Sequence, residues 1–318
     1  MLRVILVGYG ELASSLMLGI LESKHKLVSV FRWDKTESNN ITSFVKDSLW
    51  PNNFSTLIKT YKIPEINANS INSEKFIKQA LRLQPDVILV GAWGEKIKSN
   101  TIILPKIACV NCHPSLLPVH RGSNPYASVI KQGESKTGIT FHLVNEKIDT
   151  GSILLQKEIS ILDNDTGGSL REKCAFIARD TVKELLDGLE NALFIPQKQD
   201  ESRASYFPRL TQEDAVINWD MPAYAIHNQI RGLQPWADCF TRYKKQFLMI
   251  KSSEIIKLEK PVKNSGKILS KSIKGIAVST GDPEKALLIS DLSVYGFLRI
   301  FSSNFINKIK VGDYMEEI

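Results

Sequence analysis

Residues 3–13, RVILVGYGELA, decide the fold of the first half of the chain. The aliphatic run Arg3–Val7 leads into Gly8, and a helical pattern at Leu12–Leu21 follows the turn. A short apolar run that ends in glycine and opens directly into a helix is typical of the first strand and helix of an α/β sheet. The run is too short for a signal-peptide core, and it ends in a turn instead of a cleavage site. The stretch therefore predicts a buried first strand.

The same alternation of strand and helix continues along the chain. Further strands are predicted at Lys26–Phe31, Asp86–Val90, Ala108–Cys112 and Thr137–Val144, and further helices at Lys75–Leu83 and Ser169–Leu186. Strands that alternate with helices indicate a parallel sheet covered by helices. The sequence therefore predicts a doubly wound α/β domain over residues 1–195.

The pattern changes after this domain. Residues 196–209 contain two prolines and little periodicity, which indicates a linker. A helical segment is predicted at Tyr224–Arg231, and short strands separated by Gly, Asn and Pro turns are predicted at Phe240–Ile250, Ser265–Leu269, Gly275–Ser279 and Ala286–Ile289. Short strands of this kind predict a small β-barrel over residues 210–318.

Composition places the chain among ordinary globular proteins, with 318 residues, 43% hydrophobic and 24% charged. No apolar run reaches the ~18 residues of a membrane span, and four cysteines in so long a chain do not indicate a disulfide framework, so we expect a cytoplasmic protein. The net charge of +7 is concentrated in one stretch of the C-terminal part. Its basic residues are Arg242, Lys244, Lys245, Lys251, Lys257, Lys260, Lys263, Lys267, Lys271 and Lys274.

Two cofactor patterns are present but find no support elsewhere in the sequence. Gly8-Tyr9-Gly10 with Ala13 and Asp34 matches a dinucleotide fingerprint, but no further dehydrogenase residues follow, so we expect this turn to shape the fold or to contact the substrate. Cys109–His113 matches the haem attachment pattern, but it lies in a predicted buried strand. Neither pattern predicts a bound cofactor here, and the histidines show no spacing that predicts a metal site.

The run Asn111-x-His113-Pro114-Ser115-Leu116-Leu117-Pro118 carries the strongest functional signal. Asn111 and His113 share one face at the carboxyl end of a strand, where open α/β sheets build their sites. Asp149, in the loop after Thr137–Val144, could reach this end. We predict that Asn111, His113 and Asp149 are catalytic, which disfavours the alternative of a non-catalytic binding module.

At these residues, together with Asp149-Thr150-Gly151, the chain resembles the formyltransferases that use 10-formyltetrahydrofolate. The resemblance extends to Tyr206–Leu210, Ile217–Trp219, Ile230–Gly232 and Pro235-Trp236, which are similar to the second domain of the methionyl-tRNA formyltransferases. It implies a Rossmann-like formyltransferase domain, an OB-like C-terminal barrel, 10-formyltetrahydrofolate as co-substrate and no metal. By the same resemblance, the folate would be held by Val90, Gly91, Ala92, Trp93, Ser115, Leu116, Leu117, Pro118 and Asn145.

Two acceptors for the formyl group stay open. The resemblance implies the amino group of methionyl-tRNA, a reaction of protein biosynthesis, and the basic C-terminal stretch could then bind tRNA phosphates. The family members that formylate nucleotide-linked amino sugars are the alternative, because this chain has Gly8-Tyr9-Gly10 at the first turn and few basic residues in the loop Asp34–Asn53.

Amine formylation needs stabilisation of an oxyanion and removal of a proton from the amine. We expect the Asn111 amide and a protonated His113 to face the oxyanion. Asp149 would hold His113, favour its charged form and help to remove the proton of the amine.

Overall fold

The computed structural model describes residues 1–32, 53–296 and 305–316. Contacts divide the chain into two compact units. The first consists of Met1–Pro125, Lys136–Ser160 and Arg171–Pro208, and the second of Tyr126–Ser135, Ile161–Leu170 and Arg209–Ile318. The polar loop predicted at Asp34–Asn53 lies, except for its last residue, outside the described residues.

The bounds of the elements are as follows. The strands are β1 (Arg3–Gly8), β2 (Lys26–Phe31), β3 (Val87–Gly91), β4 (Ala108–His113), β5 (Arg121–Gly122), β6 (Lys136–Leu143), β7 (Ile153–Ser160), β8 (Tyr206–Phe207), β9 (Cys239–Tyr243), β10 (Gln246–Lys257), β11 (Ile268–Ser272), β12 (Gly275–Ser279) and β13 (Lys285–Val294). The α-helices are α1 (Gly10–Leu21), α2 (Phe54–Thr60), α3 (Glu74–Leu83), α4 (Ser99–Ile102), α5 (Pro125–Lys131), α6 (Gly167–Glu190) and α7 (Ala223–Leu233). Within the described ranges, no helix is both long and apolar enough to cross a lipid bilayer.

The first unit is built on a six-stranded sheet in the order β2-β1-β3-β4-β6-β7. Strands β1 to β4 are parallel, as predicted, and are almost entirely buried, as is usual for strands covered on both faces. Strand β6 is instead antiparallel to β4, and β7 is antiparallel to β6. The prediction that Thr137–Val144 continues the parallel sheet was wrong, because an apolar strand pattern carries no information about direction.

Packing between strand ends explains the glycine turn after β1. Gly8 and Gly91 pair in register, and a Cβ on Gly8 would lie 2.0 Å from the carbonyl oxygen of Gly91. Gly10 has φ +67, a conformation that side chains with a Cβ rarely adopt. The spacing that resembles a dinucleotide fingerprint therefore follows from backbone geometry, in agreement with a turn that shapes the fold.

The segment 196–209, predicted as a linker, contains residues bonded within the first unit. Gln197 and Ile153 exchange backbone hydrogen bonds of 2.8 and 2.9 Å, and β8 pairs with β5. Contacts assign the chain as far as Pro208 to the first unit. Proline and polar residues are typical of a linker, but composition carries no information about hydrogen-bond partners that are distant in sequence. The boundaries at 195 and 210 stay predictions.

The second unit contains a five-stranded antiparallel sheet in the order β11-β12-β13-β10-β9. Glu316 bridges to Arg242 on β9, and Tyr314 bridges to Lys267 beside β11, so the C-terminal segment connects the two edges of the sheet. The predicted fold class, an α/β domain followed by a small β-barrel, is confirmed. The single strand predicted at Phe240–Ile250 is a hairpin instead, because the chain turns at Lys244, which has φ +57.

The cysteines of the haem-like pattern are buried in the sheet. Cys109 and Cys112 lie on β4 and are free thiols. Burial raises the pKa of Cys109 to about 12, so its thiol stays protonated at neutral pH. Both side chains serve as small apolar core residues, as the sequence predicts.

Candidate active site

The structure brings the three predicted catalytic residues to one edge of the first unit. Asn111 and His113 lie on β4, and Asp149 lies in the loop between β6 and β7. His113 Nδ1 is 3.5 Å from Asp149 Oδ1. Asn111 is linked to the pair by His142 on β6, whose Nε2 lies 3.1 Å from Asn111 Nδ2 and 3.7 Å from Asp149 Oδ1.

His142 fixes the orientation of the Asn111 amide. The two residues are direct partners in the antiparallel register of β4 and β6. His142 Nδ1 lies 2.8 Å from the carbonyl oxygen of Leu143, which can only accept, so Nδ1 carries the proton. The unprotonated Nε2 then accepts from Asn111 Nδ2, which leaves the second amide hydrogen for another acceptor.

The sequence does not predict this role of His142, which was one of five histidines without the spacing of metal ligands. A residue opposite Asn111 can be identified only from the direction and register of β6, and neither is encoded in the pattern of a single strand. A histidine within a buried strand next to the motif strand was the available signal.

The hydrogen bonds of His113 define its tautomer. Its Nε2 donates to the carbonyl oxygen of His120 at 2.9 Å, so Nδ1 is the nitrogen that can exchange a proton. His113 is 4% exposed, and burial lowers its pKa despite the opposing charge of Asp149. The imidazole is therefore neutral at pH 7, with the Nδ1 lone pair towards Asp149. This differs from the expectation of a protonated His113, which took account of the charge of Asp149 but not of the cost of burying the charge on His113.

Asp149 is held as an anion in an unusual backbone conformation. Its φ is +55, in the left-handed region, and its Oδ2 accepts a hydrogen bond of 3.0 Å from the backbone N–H of Gly122. Burial by itself raises the pKa of Asp149, but the facing rings of His113 and His142 and the Gly122 N–H lower it, with a net value of about 2. The carboxylate is thus ionised throughout the neutral range.

Two proton acceptors therefore converge at neutral pH, the Nδ1 lone pair of His113 and the carboxylate of Asp149. An N–H group placed between them would donate to both. A proton transferred to Nδ1 would create an imidazolium beside a carboxylate, and that carboxylate would stabilise it. The arrangement suits the removal of a proton from an incoming amine.

A pocket of about 560 Å³, partly open to solvent, adjoins this pair. Three of the residues predicted to hold folate line it together with Asn111 and Asp149, namely Val90, Trp93 and Asn145. The predicted residues Gly91 and Ala92 do not line this pocket. Gly91 is the last residue of β3, where it pairs with Gly8 and Cys112. The rest of the wall includes Glu95, Lys96, Glu146 and Lys147, so the pocket combines apolar and charged groups.

The four remaining residues of the predicted folate site, Ser115–Pro118, do not line this pocket. Their main chain is instead braced on the sheet. Leu117 N donates to Thr140 Oγ1 at 3.1 Å, Thr140 Oγ1 donates to Ser115 O at 2.6 Å, and Gln156 Nε2 donates to Leu117 O at 2.9 Å. Ser115 and Leu117 are buried, which gives them a role in fixing the chain after His113. A direct contact with folate stays a prediction for these residues.

The ten basic residues of the C-terminal stretch fall into two groups. Arg242, Lys244 and Lys251 form ion pairs with Glu316, Asp313 and Asp238, and Lys271 donates to the carbonyl oxygen of Ile306. Lys245, Lys257, Lys260, Lys263, Lys267 and Lys274 make no ion pair within the part of the chain that the structure describes.

Comparison with known proteins gives one family for both halves of the chain. Residues 34–186 match the family described as "Formyl transferase", and residues 209–309 match "Formyl transferase, C-terminal domain". A methionyl-tRNA formyltransferase of Staphylococcus aureus (strain MW2) is 32% identical over 247 residues, which cover 78% of this chain and 79% of that protein.

Solved structures share the fold. An N-formyltransferase from Helicobacter canadensis, in complex with folinic acid and dTDP-3-aminofucose, has a TM-score of 0.71 at 20% identity and covers 92% of this chain and 100% of its own. A methionyl-tRNA formyltransferase from Clostridium thermocellum has a TM-score of 0.54 at 19% identity and covers 80% of this chain and 93% of its own.

Proposed function

The chain belongs to the formyltransferase family, and from that membership we propose that it transfers the formyl group of 10-formyltetrahydrofolate to the amino group of methionyl-tRNA. The observation that carries the proposal is the convergence of a neutral His113 and an ionised Asp149 beside the pocket that Asn111 lines. Formylation of an amine requires removal of a proton and stabilisation of an oxyanion, and these three groups supply both.

The first half of the reaction forms the tetrahedral intermediate. The amine nitrogen bonds to the formyl carbon, and the carbonyl π electrons move to the formyl oxygen. His113 Nδ1 accepts the amine proton, and the imidazolium that results is stabilised by the carboxylate of Asp149 at 3.5 Å. The lowered pKa of His113 keeps the base unprotonated before the amine arrives.

Asn111 stabilises the oxyanion. One hydrogen of its amide is bonded to His142 Nε2, so the amide is oriented before the reaction. The second hydrogen can donate to the formyl oxygen, where negative charge develops. A donor that is already oriented needs no reorganisation in the transition state.

The second half of the reaction releases the folate. The bond between the formyl carbon and N10 breaks, the carbonyl re-forms, and the proton on His113 Nδ1 moves to N10. Tetrahydrofolate leaves with the proton that the amine lost, and His113 returns to its neutral form. The same imidazole thus serves as base and then as acid.

Folate binding is assigned to the pocket next to this pair. The side chains of Val90 and Trp93 provide apolar wall, and Asn145 adds polar groups at the loop. Apolar walls with a few placed polar groups are the usual composition of small-molecule sites. The Helicobacter protein of the same fold is described with folinic acid, a folate derivative.

Methionyl-tRNA as acceptor is supported by the relative from Staphylococcus aureus and by the six lysines of the second unit that make no ion pair with any residue the structure describes. Each lysine that contacts a phosphate releases a bound counterion, so tRNA binding would be salt-dependent. The alternative acceptor is a nucleotide-linked amino sugar, because the Helicobacter protein, described with dTDP-3-aminofucose, has the same fold over its full length.

Parallel assays decide between the acceptors. The protein is incubated with 10-formyltetrahydrofolate and either initiator methionyl-tRNA or a dTDP-linked 3-amino sugar, and kcat/KM is measured for each. We expect a higher kcat/KM for methionyl-tRNA. A higher value for the amino sugar would replace the proposed acceptor, and transfer to neither would overturn the proposed function.

A further inference from the structure

Gln199 binds the backbone of the loop that carries Asp149. Its Nε2 donates to the carbonyl oxygen of Asp149 at 2.9 Å and to that of Gly151 at 2.7 Å. The side chain is 4% exposed, so these bonds do not compete with bulk water. Gln199 lies in the segment that its composition predicts to be a linker, and it has no part in the reaction steps described above.

Arg121 sets the orientation of the Gln199 amide. Arg121 Nε and Nη2 donate to Gln199 Oε1 at 3.2 and 2.8 Å, and Nη1 and Nη2 donate to the carboxylate of Glu201 at 2.9 and 2.8 Å. A guanidinium has no acceptor, so it selects the amide oxygen of Gln199. The amide nitrogen must then face the two carbonyl groups.

The bonds from Gln199 support a backbone conformation that is otherwise disfavoured. Asp149 has φ +55, and an aspartate leaves the left-handed region easily unless its surroundings hold it. The preceding residues 145–148 are exposed, so the hydrogen bonds that Lys147 N and Thr150 Oγ1 donate to Asn145 Oδ1 on that side of the loop compete with water. Gln199 fixes the main chain of Asp149 from inside, while the Gly122 N–H fixes its carboxylate.

We propose that Gln199, oriented by Arg121, is a positioning residue that holds Asp149 against His113. The expected effect on kcat rests on the proposed function, whereas the placement of Asp149 by Gln199 rests on geometry alone. Many buried glutamines brace loops, but this one is bonded to the catalytic residue itself. Its loss should therefore affect the chemical step more than the binding of folate.

Gln199→Glu tests the kinetic consequence. Glutamate keeps the shape and the contact with Arg121, but it replaces both N–H donors with an oxygen that faces two carbonyl groups. We expect kcat to fall by at least about tenfold, with KM for 10-formyltetrahydrofolate little changed. Gln229→Glu is the matched control, because Gln229 Nε2 also donates to two carbonyl groups, those of Asp214 and Val216, in the second unit. The control should keep the wild-type kcat, and equal kcat values for Gln199→Glu and the wild type would overturn the proposal.

Gln199→Met distinguishes a failure of the positioning role from a failure of the proposed function. It also provides a second test if Gln199→Glu does not fold. Burial and the charge of Arg121 lower the pKa of His113, whereas the charge of Asp149 raises it. If Gln199 holds Asp149 in place, the pKa of His113 measured by NMR should be lower in Gln199→Met than in the wild type. An unchanged pKa of His113 would overturn the positioning role, whether or not the wild type transfers formyl groups. A wild-type protein without transferase activity would overturn only the proposed function.

Discussion

Asp149→Asn removes one negative charge from the site while nearly keeping the shape of the side chain. The asparagine can still accept from the Gly122 N–H through its amide oxygen. It cannot stabilise an imidazolium at His113 or share the proton of the amine. The substitution therefore tests whether Asp149 acts by its charge or only braces the loop.

The size of the effect follows from the distance between the groups. Two opposite unit charges about 4 Å apart interact by about 4 kcal/mol at an effective dielectric constant of about 20. Asp149 Oδ1 lies 3.5 Å from His113 Nδ1, and the Asp149 side chain is 11% exposed, so solvent screens the pair only in part. An amide dipole recovers some of this energy, so the loss should be smaller than about 4 kcal/mol. A loss on the order of a hundredfold in kcat corresponds to about 2.7 kcal/mol and lies within this limit.

Single-turnover formyl transfer measures the chemical step directly, with folate affinity determined separately. We expect the rate to fall on the order of a hundredfold while folate affinity changes far less, because the charge on His113 develops only in the reaction. Asp187→Asn is the control, since Asp187 Oδ1 faces the buried His25 at 3.1 Å, outside the residues that line the pocket. The control should keep the wild-type rate. Retention of more than about a tenth of the wild-type rate by Asp149→Asn would refute the acid–base role.

The same variant has a signature in stability. Folding lowers the pKa of Asp149 from 3.8 to about 2, so ionised Asp149 contributes to the stability of the folded state. That contribution is present above about pH 4 and is lost as the pH falls through about 2. The difference in the free energy of unfolding between the wild type and Asp149→Asn should therefore shrink in acid, and a difference independent of pH would contradict the lowered pKa.

Three further outcomes are expected. Asn111→Ala should lower kcat by about 10² to 10³ with a small change in KM, and a change confined to KM in steady-state assays would assign Asn111 to binding alone. In the wild type, kcat/KM should decrease as the pH falls through the pKa of His113, which burial holds below its ordinary value, and a rate that increases in acid would contradict a neutral base. Replacement of both Lys260 and Lys263 by Gln should lower the slope of log Kd for tRNA against log salt concentration by about 2. Lys244→Gln removes a charge that is already paired, so it should change this slope much less. Equal changes in slope for the two variants would contradict the predicted tRNA surface.

Much of the first unit could be predicted from the sequence because its information is local. The aliphatic run at Arg3–Val7 and the strand ending in His113 lie where they were predicted. Asn111 and His113 are two residues apart on one strand, which fixes their common face. Asp149 follows from its position in a loop after a neighbouring strand, and the structure places it within 3.5 Å of His113.

The features of the site that the sequence does not predict depend on pairings between residues that are distant in sequence. His142 faces Asn111 only because β6 is antiparallel to β4, and strand direction is not encoded in side-chain alternation. Gln199 lies 50 residues from Asp149 within a segment whose composition indicates a linker. The neutral state of His113 depends on its burial, since an Asp partner alone would favour the charged form.

The protonation state of His113 most directly tests whether this residue is the base that accepts the proton of the amine. The ¹⁵N chemical shifts of the His113 ring can be measured by NMR in the wild-type protein at pH 7, with the resonances assigned by comparison with His113→Gln. We expect a neutral ring that is protonated at Nε2 and unprotonated at Nδ1. A ring protonated at both nitrogens would contradict this expectation, since an imidazolium could not accept the proton of the amine.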